Sequence, residues 1–220
     1  MTTGERQFIP ALRFHFLTGL YDPVLRWTMR EREFKGKMLL EIQAGPGHRI
    51  LDIGCGTGTL TMMLKRAFPD STIIGVDIDP KVLALAKRKT AKARLVVEYH
   101  EASATSLPFA DGYFDSAVTS LMVHHLQRND KQAFLAEVFR ILKPGGILYL
   151  TDFGMPRTAL TRATSVIVQY LEKASDNMKG LIPDMMHDAG FTSIREYGSY
   201  ETLFGTVSLL KGFKPLSPTQ

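Results

Sequence analysis

Between residues 48 and 152, short β-rich apolar runs alternate with amphipathic segments of helical period, and this alternation constrains the fold more than any other feature. The runs are His48–Gly54, Thr72–Asp77, Leu95–His100, Phe114–Ser120 and Ile147–Asp152. Helical patterns over Thr59–Ala67, Pro80–Ala91 and Asp130–Leu142 lie between them. Strands alternating with helices specify a parallel sheet covered on both faces. Right-handed crossovers then bring every strand-to-helix loop to one edge of that sheet, where ligands of such folds bind.

The local signals agree with this pattern. Asp79-Pro80 offers a helix cap followed by proline at the first helical position, and Asp22-Pro23 repeats the device. The third helix sets Leu135, Val138, Ile141 and Leu142 at helical spacing and is expected to stop at Lys143-Pro144-Gly145-Gly146. Residues 22–43 read as a helix ahead of the first strand, with Trp27, Phe34, Met38 and Ile42 on one side. Residues 157–189 are helical again, interrupted at 176–180, and Thr192–Gly198 with Phe204–Gly212 read as a closing antiparallel hairpin. No interdomain linker appears. The 220 residues are therefore expected to form one domain, with a helical cap over 1–43, a ligand-binding core over 44–152, a helical lid over 153–190 and the hairpin over 191–215.

Composition narrows the class. Hydrophobic residues at 45% and charged ones at 22% exclude wholesale disorder. No apolar run is long enough to span a membrane. A single cysteine, Cys55, excludes an intramolecular disulfide and a Cys-rich zinc site. The start, Met1-Thr2-Thr3-Gly4-Glu5-Arg6, lacks the order of a secretory signal, so a cytoplasmic protein is expected. Net charge is +5, and its densest stretch, Lys81 to Arg94, falls on a segment that reads as the solvated face of a helix. No nucleic-acid partner is expected on that basis, and oligomeric state is not read from the sequence.

The chemistry is concentrated at the first strand-to-helix junction. A buried strand ends in Gly54, Gly56 and Gly58 at alternate positions, and a helix begins at once. Glycine permits a sharp turn and close approach of a ligand, and free N–H groups at the helix start can hydrogen-bond an acceptor. The spacing is GxGxG, which departs from the dinucleotide GxGxxG and counts against a nicotinamide reductase. The next strand ends at Asp77, nineteen residues past Gly58, where a carboxylate can accept both hydroxyls of a ribose. Asp79 is expected to cap the following helix, which leaves Asp77 for the ligand.

Four ordered stretches, ILDIGCGTG at 50–58, GVDID at 75–79, SLPFADGYFD at 106–115 and RILKPGG at 140–146, resemble the class I S-adenosylmethionine-dependent methyltransferases. More narrowly they are similar to the small-molecule branch that includes ubiquinone and menaquinone C-methyltransferases. The resemblance implies a Rossmann-like, doubly wound α/β fold with a seven-stranded sheet, mostly parallel with a C-terminal antiparallel strand. It implies S-adenosylmethionine as cofactor, S-adenosylhomocysteine as product and a small-molecule acceptor methylated on carbon or oxygen.

Carried over by position, the resemblance assigns Asp52, Gly54, Cys55, Gly56, Thr57 and Gly58 to the methionine end of the cofactor. It assigns Asp77 to the ribose and Ile78 to the adenine, with Ser120 also at the cofactor. Where relatives carry an acidic residue for the adenine amino group, this chain has Ser103, with the Ala104 backbone N–H beside it. Past the fourth strand, His124 and His125 are the candidate bases for a hydroxyl or acidic-carbon acceptor, His124 foremost. Either could instead cap the next helix or pack beside the sheet. Asp152 and Tyr21 are further candidates for the acceptor side.

Other constellations are lacking. The remaining histidines, His15, His48, His100 and His187, stand singly without metal-ligand spacing, and no Gly-x-Ser-x-Gly elbow is present. Two alternatives to a small-molecule methyltransferase stay open at this level. One is an RNA or protein methyltransferase, and the other is a protein that binds the cofactor without transferring its methyl group.

Overall fold

A computed structural model describes residues 30–159, 161–162 and 174–216. Seven strands form one sheet in the order β3-β2-β1-β4-β5-β7-β6. They are β1 (Arg49–Ile53), β2 (Thr72–Asp77), β3 (Glu98–Glu101), β4 (Phe114–Ser120), β5 (Leu142–Phe153), β6 (Thr192–Thr202) and β7 (Gly205–Phe213). Strands β1 to β5 pair in parallel, whereas β7 runs antiparallel to both β5 and β6. The helices are α1 (Glu31–Glu41), α2 (Thr59–Ala67), α3 (Pro80–Lys92), α4 (Arg128–Ile141), the single turn α5 (Ser175–Met178) and α6 (Ile182–Asp188). A 3₁₀ turn, Val123–His125, joins β4 to α4.

Buried runs of β-branched and aliphatic residues make the central strands, as a sheet covered on both faces requires. On one face Leu51, Ile53, Ala117, Leu148 and Leu150 pack against Phe134, Leu135 and Val138 of α4 and Met185 and Met186 of α6. On the other, Ile50, Ile73, Val118 and Tyr149 meet Met38 of α1 and Leu60 and Leu64 of α2. Phe34, Met38 and Ile42 are buried, as their spacing requires. Trp27 and Tyr21 lie outside the described residues.

Several boundaries depart from the sequence reading, among them β6, which runs on from the expected Gly198 to Thr202, and two have a clear physical reason. Leu95 is tied back to the end of α3 through the Thr90 carbonyl, so β3 pairs only from Glu98, opposite Ile74. Lys143–Gly146, expected as a stop signal, is instead drawn into β5. Gly145 donates to the Lys214 carbonyl and Lys214 donates to Gly146, so pairing with the distant C-terminal strand sets the boundary. The extra residues are taken up as a bulge against β4 between Phe114 and Ser116.

Of the methionines in the segment expected as a lid, 153–190, Met178, Met185 and Met186 are core residues, while Met155 is exposed. The order of strands reverses between β1 and β4, and the crevice at such a reversal opens at the carboxyl ends of those strands. Gly54, Asp77, Ser120 and Asp152 all lie at the ends of their strands on this edge.

Candidate active site

The three glycines of the loop after β1 share positive φ angles, +69° at Gly54, +52° at Gly56 and +75° at Gly58, but not surroundings. A Cβ on Gly54 would strike the Met122 side chain, and one on Gly58 would come within 2.9 Å of the Ala86 Cβ and 2.7 Å of the Tyr99 hydroxyl. Those two are packing glycines. Gly56 alone of the three would project a Cβ into open space, so it is where a ligand can approach the loop backbone.

Asp77 fixes this loop. Its Oδ2 accepts the Gly56 N–H at 2.8 Å, and its Oδ1 accepts the Asp79 N–H at 3.0 Å. Each carboxylate oxygen keeps lone-pair capacity after one hydrogen bond, and the side chain is half-buried, so it can still accept from a ligand. Asp79 caps α3 as expected, accepting the Lys81 N–H at 2.8 Å with Pro80 at the first helical position. Ile78, between these two carboxylates, is 48% exposed and leaves an apolar surface beside Asp77.

Other residues assigned from the sequence lie beneath the loop or are engaged locally. Asp52 is 1% exposed and accepts the Thr61 hydroxyl at 2.6 Å, so it holds α2 from below. Burial pushes its pKa up to about 6, against the opposing hydrogen bond from Thr61. Cys55 is buried, and burial, with the nearby Asp52 and Asp77 charges, pushes its thiol up and away from nucleophilic use. The Thr57 hydroxyl accepts from Lys89 Nζ at 2.7 Å, tying the loop to α3. The Ser103 hydroxyl accepts the Thr105 N–H at 3.2 Å within its own turn, and Ala104 packs on the core. The Ser120 hydroxyl, by contrast, is buried at the end of β4 with no hydrogen-bond partner.

Past β4 the chain turns through Leu121 at φ +55°, a strained backbone for a branched side chain, and enters the 3₁₀ turn. Asp152, at the end of β5, anchors that turn. Its Oδ2 accepts the N–H groups of Val123 at 2.7 Å and His124 at 3.2 Å, and its Oδ1 accepts Phe153 N–H at 2.7 Å. His124 Nδ1 lies 2.7 Å from the same Oδ1. Burial of Asp152 raises its pKa, but the charge and hydrogen bond of His124 and the Phe153 N–H outweigh this and hold it below the usual carboxylate range. An ionised carboxylate can only accept, so His124 Nδ1 is the donor and Nε2 is left as the basic nitrogen. His124 is 5% exposed and His125 half-buried, with ring centroids 4.0 Å apart.

The sequence reading assigned Asp152 and His124 separately; their pairing, and the covering of Gly54 by Met122, come only from the fold. Among the described residues no cluster of His, Cys, Asp or Glu could hold a metal ion. Nor is any described helix long and apolar enough to cross a membrane.

Residues 50–146 match the family model described as a methyltransferase domain. The ubiquinone/menaquinone biosynthesis C-methyltransferase UbiE of Vibrio parahaemolyticus is 32% identical over 197 residues, covering 78% of this chain and 73% of that protein. The chain belongs to the class I S-adenosylmethionine-dependent methyltransferases. The methyltransferase is also 37% identical to the demethylmenaquinone methyltransferase of Thermus thermophilus over 148 residues, which are 66% of this chain and 63% of that enzyme.

Its fold matches a SAM-dependent methyltransferase from Methanosarcina mazei with a TM-score of 0.66 at 24% identity, covering 79% of this chain and 95% of that one. It also matches the Haemonchus contortus phosphoethanolamine N-methyltransferase 2 in complex with S-adenosyl-L-methionine. There the TM-score is 0.69 at 18% identity, covering 83% of this chain and 52% of that one. S-adenosylmethionine is thus the cofactor. The residues at the strand ends fit it: an open glycine backbone, a carboxylate able to accept hydroxyls, an exposed apolar side chain beside it and an orphan hydroxyl on β4.

Proposed function

We propose that the methyltransferase methylates a neutral, ring-containing small molecule on carbon or oxygen, with Asp77 holding the cofactor ribose and His124 as the base. The observation that carries this reading is the His124–Asp152 pair at the same edge as Gly56. Strands lie about 4.8 Å apart, so β5 stands roughly 10 Å from β1, within the span of one cofactor and one acceptor. Relatives named for demethylmenaquinone and for ubiquinone/menaquinone C-methylation support an acceptor of quinol type.

The cofactor supplies a methyl group already activated by its sulfonium. The protein's share is to position, exclude water and move one proton. Asp77 holds the loop through Gly56 and accepts ribose hydroxyls with its remaining lone pairs, while Ile78 covers an adenine face. The Ser120 hydroxyl gains a partner in the methionine portion. His124, held through Nδ1 by Asp152, takes the proton of a hydroxyl or an acidic ring carbon at Nε2 as the acceptor's nucleophilicity rises.

Methyl-labelled S-adenosylmethionine incubated with 1,4-naphthoquinol, and in parallel with total tRNA and with unfolded protein, tests this. Label is expected in the quinol fraction. Label in RNA or protein alone would replace the reading with a macromolecular methyltransferase, and none in any fraction would point to a protein that binds without transferring.

A further inference from the structure

From Pro80 to Val97, the length of α3 and the turn after it, the chain has six cations and no acid. They are Lys81, Lys87, Arg88, Lys89, Lys92 and Arg94. Together they outweigh the net charge of +5 on the whole chain, so the protein's positive excess is concentrated on one element. Lys89 donates to the Thr57 hydroxyl. The other five are exposed, and among the described residues their side chains form no ion pair. The next acid along the chain, Glu98 of β3, lies 3.7 Å from His100 instead.

The charge is one-sided. Leu83, Ala86 and Thr90 are buried where α3 packs on β2 and β3. Lys81, Leu85, Arg88 and Lys92 stand at i, i+4, i+7 and i+11, a single row on the outer face about 16 Å long. Exposed Ala84 and Ala91 beside the row are too small to shield it, and Arg94 and Val96, the latter 82% exposed, follow where the helix ends. Arg88 and Lys92 are like charges one turn apart, which destabilises a helix. A face kept only for solubility gains from acids among its lysines, whereas this one accepts the repulsion and exposes Leu85 at its centre.

We infer that the outer face of α3 is a docking surface for an anionic lipid bilayer. Clustered Lys and Arg on an amphipathic helix attract anionic headgroups, and an apolar side chain among them enters the headgroup layer. Nucleic acid fits this face less well. Pro80 to Val97 contains no aromatic side chain for bases to stack on, and the outer face of one helix offers no groove to follow a strand. The strand order sets β3 at one end of the sheet, away from β5 and the His124 turn, so a bilayer on α3 does not cover them. Docking there does not depend on which acceptor the enzyme methylates.

Co-sedimentation of the full-length protein with phosphatidylcholine vesicles, with and without phosphatidylglycerol, tests this. Each cation near an anionic surface contributes about fivefold in affinity, so the three in the row should favour the anionic vesicles by about 100-fold. The preference should vanish in about 1 M salt, where the screening length falls to about 3 Å. The triple variant Lys81→Gln, Arg88→Gln, Lys92→Gln should lose the preference at low salt. Arg32→Gln, Arg66→Gln, Lys179→Gln, which removes the same charge from exposed positions elsewhere, should keep it. Both triples alter exposed side chains and should melt near the wild-type temperature, and the wild-type vesicle and salt measurements stand without them. Equal binding of wild type to the two vesicle types, or equal loss in the two triples, would overturn the inference. Preference for total tRNA over the anionic vesicles would also overturn it and assign the face to nucleic acid.

Discussion

The Asp77 carboxylate accepts the backbone N–H of Gly56 at 2.8 Å, so the last residue of β2 holds the loop that follows β1. One side chain thus shapes the glycine turn at the edge where we propose that the ribose is held. Asp77→Ala is expected to weaken S-adenosylhomocysteine binding by about 1.5–3 kcal/mol, the cost of losing hydrogen bonds to a charged group. Calorimetry checks this, and unchanged affinity would remove Asp77 from the site.

Substitutions at the loop glycines should separate packing from ligand approach. Gly58→Ala forces a Cβ against Ala86 and Tyr99 and is expected to lower stability by about 1–3 kcal/mol, the range for overpacking. Gly56→Ala meets open space and costs only the strain of its left-handed backbone, about 1 kcal/mol, but it should reduce cofactor affinity more than Gly58→Ala does. Denaturant unfolding and cofactor titration on the two variants, side by side, read both effects.

His124→Gln is expected to depress turnover by about 10²–10⁴-fold while leaving cofactor affinity intact, as loss of a general base does. Asp152→Asn should lower turnover too, and it should also destabilise the protein, by about 3 kcal/mol, since the ring and three N–H groups converge on that carboxylate. Normal turnover in His124→Gln would leave proximity alone as the source of catalysis.

Asp52 predicts a pH dependence of opposite sign to that of a salt-bridged carboxylate. Its pKa is about 6 in the fold against 3.8 for the unperturbed group, so between those values the folded state binds more protons than the unfolded chain. Stability from this group therefore falls as pH rises through that window and stays low above it. Asp52→Asn, which still accepts from Thr61, is expected to be more stable than wild type at pH 7.5 by about 2–3 kcal/mol, at 1.36 kcal/mol per unit of pKa. The gap should close by pH 4. A pH-independent difference in denaturant unfolding would exclude a titrating Asp52.

Much of the site was legible because strand ends are legible. β2 and β4 and helix α2 fall on their expected bounds, since each is a short buried run closed by a marked helix start or glycine turn. Asp79 was recognisable as a cap because an Asx-Pro pair acts within its own three residues. Asp52 and Thr57 were placed at the cofactor by position, but their side chains turn to Thr61 and Lys89. Which way a side chain leaves the loop depends on the helix packed against it, and that helix lies elsewhere in the chain.

Sequence alone determined the alternation of strands and helices and the glycine turn, because these follow from periodicity and local backbone chemistry, while the cofactor was legible only through the four ordered stretches that resemble a known family. The tertiary structure decided what depends on contact across the sheet. It joined Asp152 to His124 across 28 residues, drew Lys143–Gly146 into β5 through Lys214, and left Gly56 open while Met122 and Tyr99 filled the space beside its neighbours. Pairing and burial are properties of neighbours in space, and a chain's local pattern fixes the strands without fixing which distant side chains will meet between them.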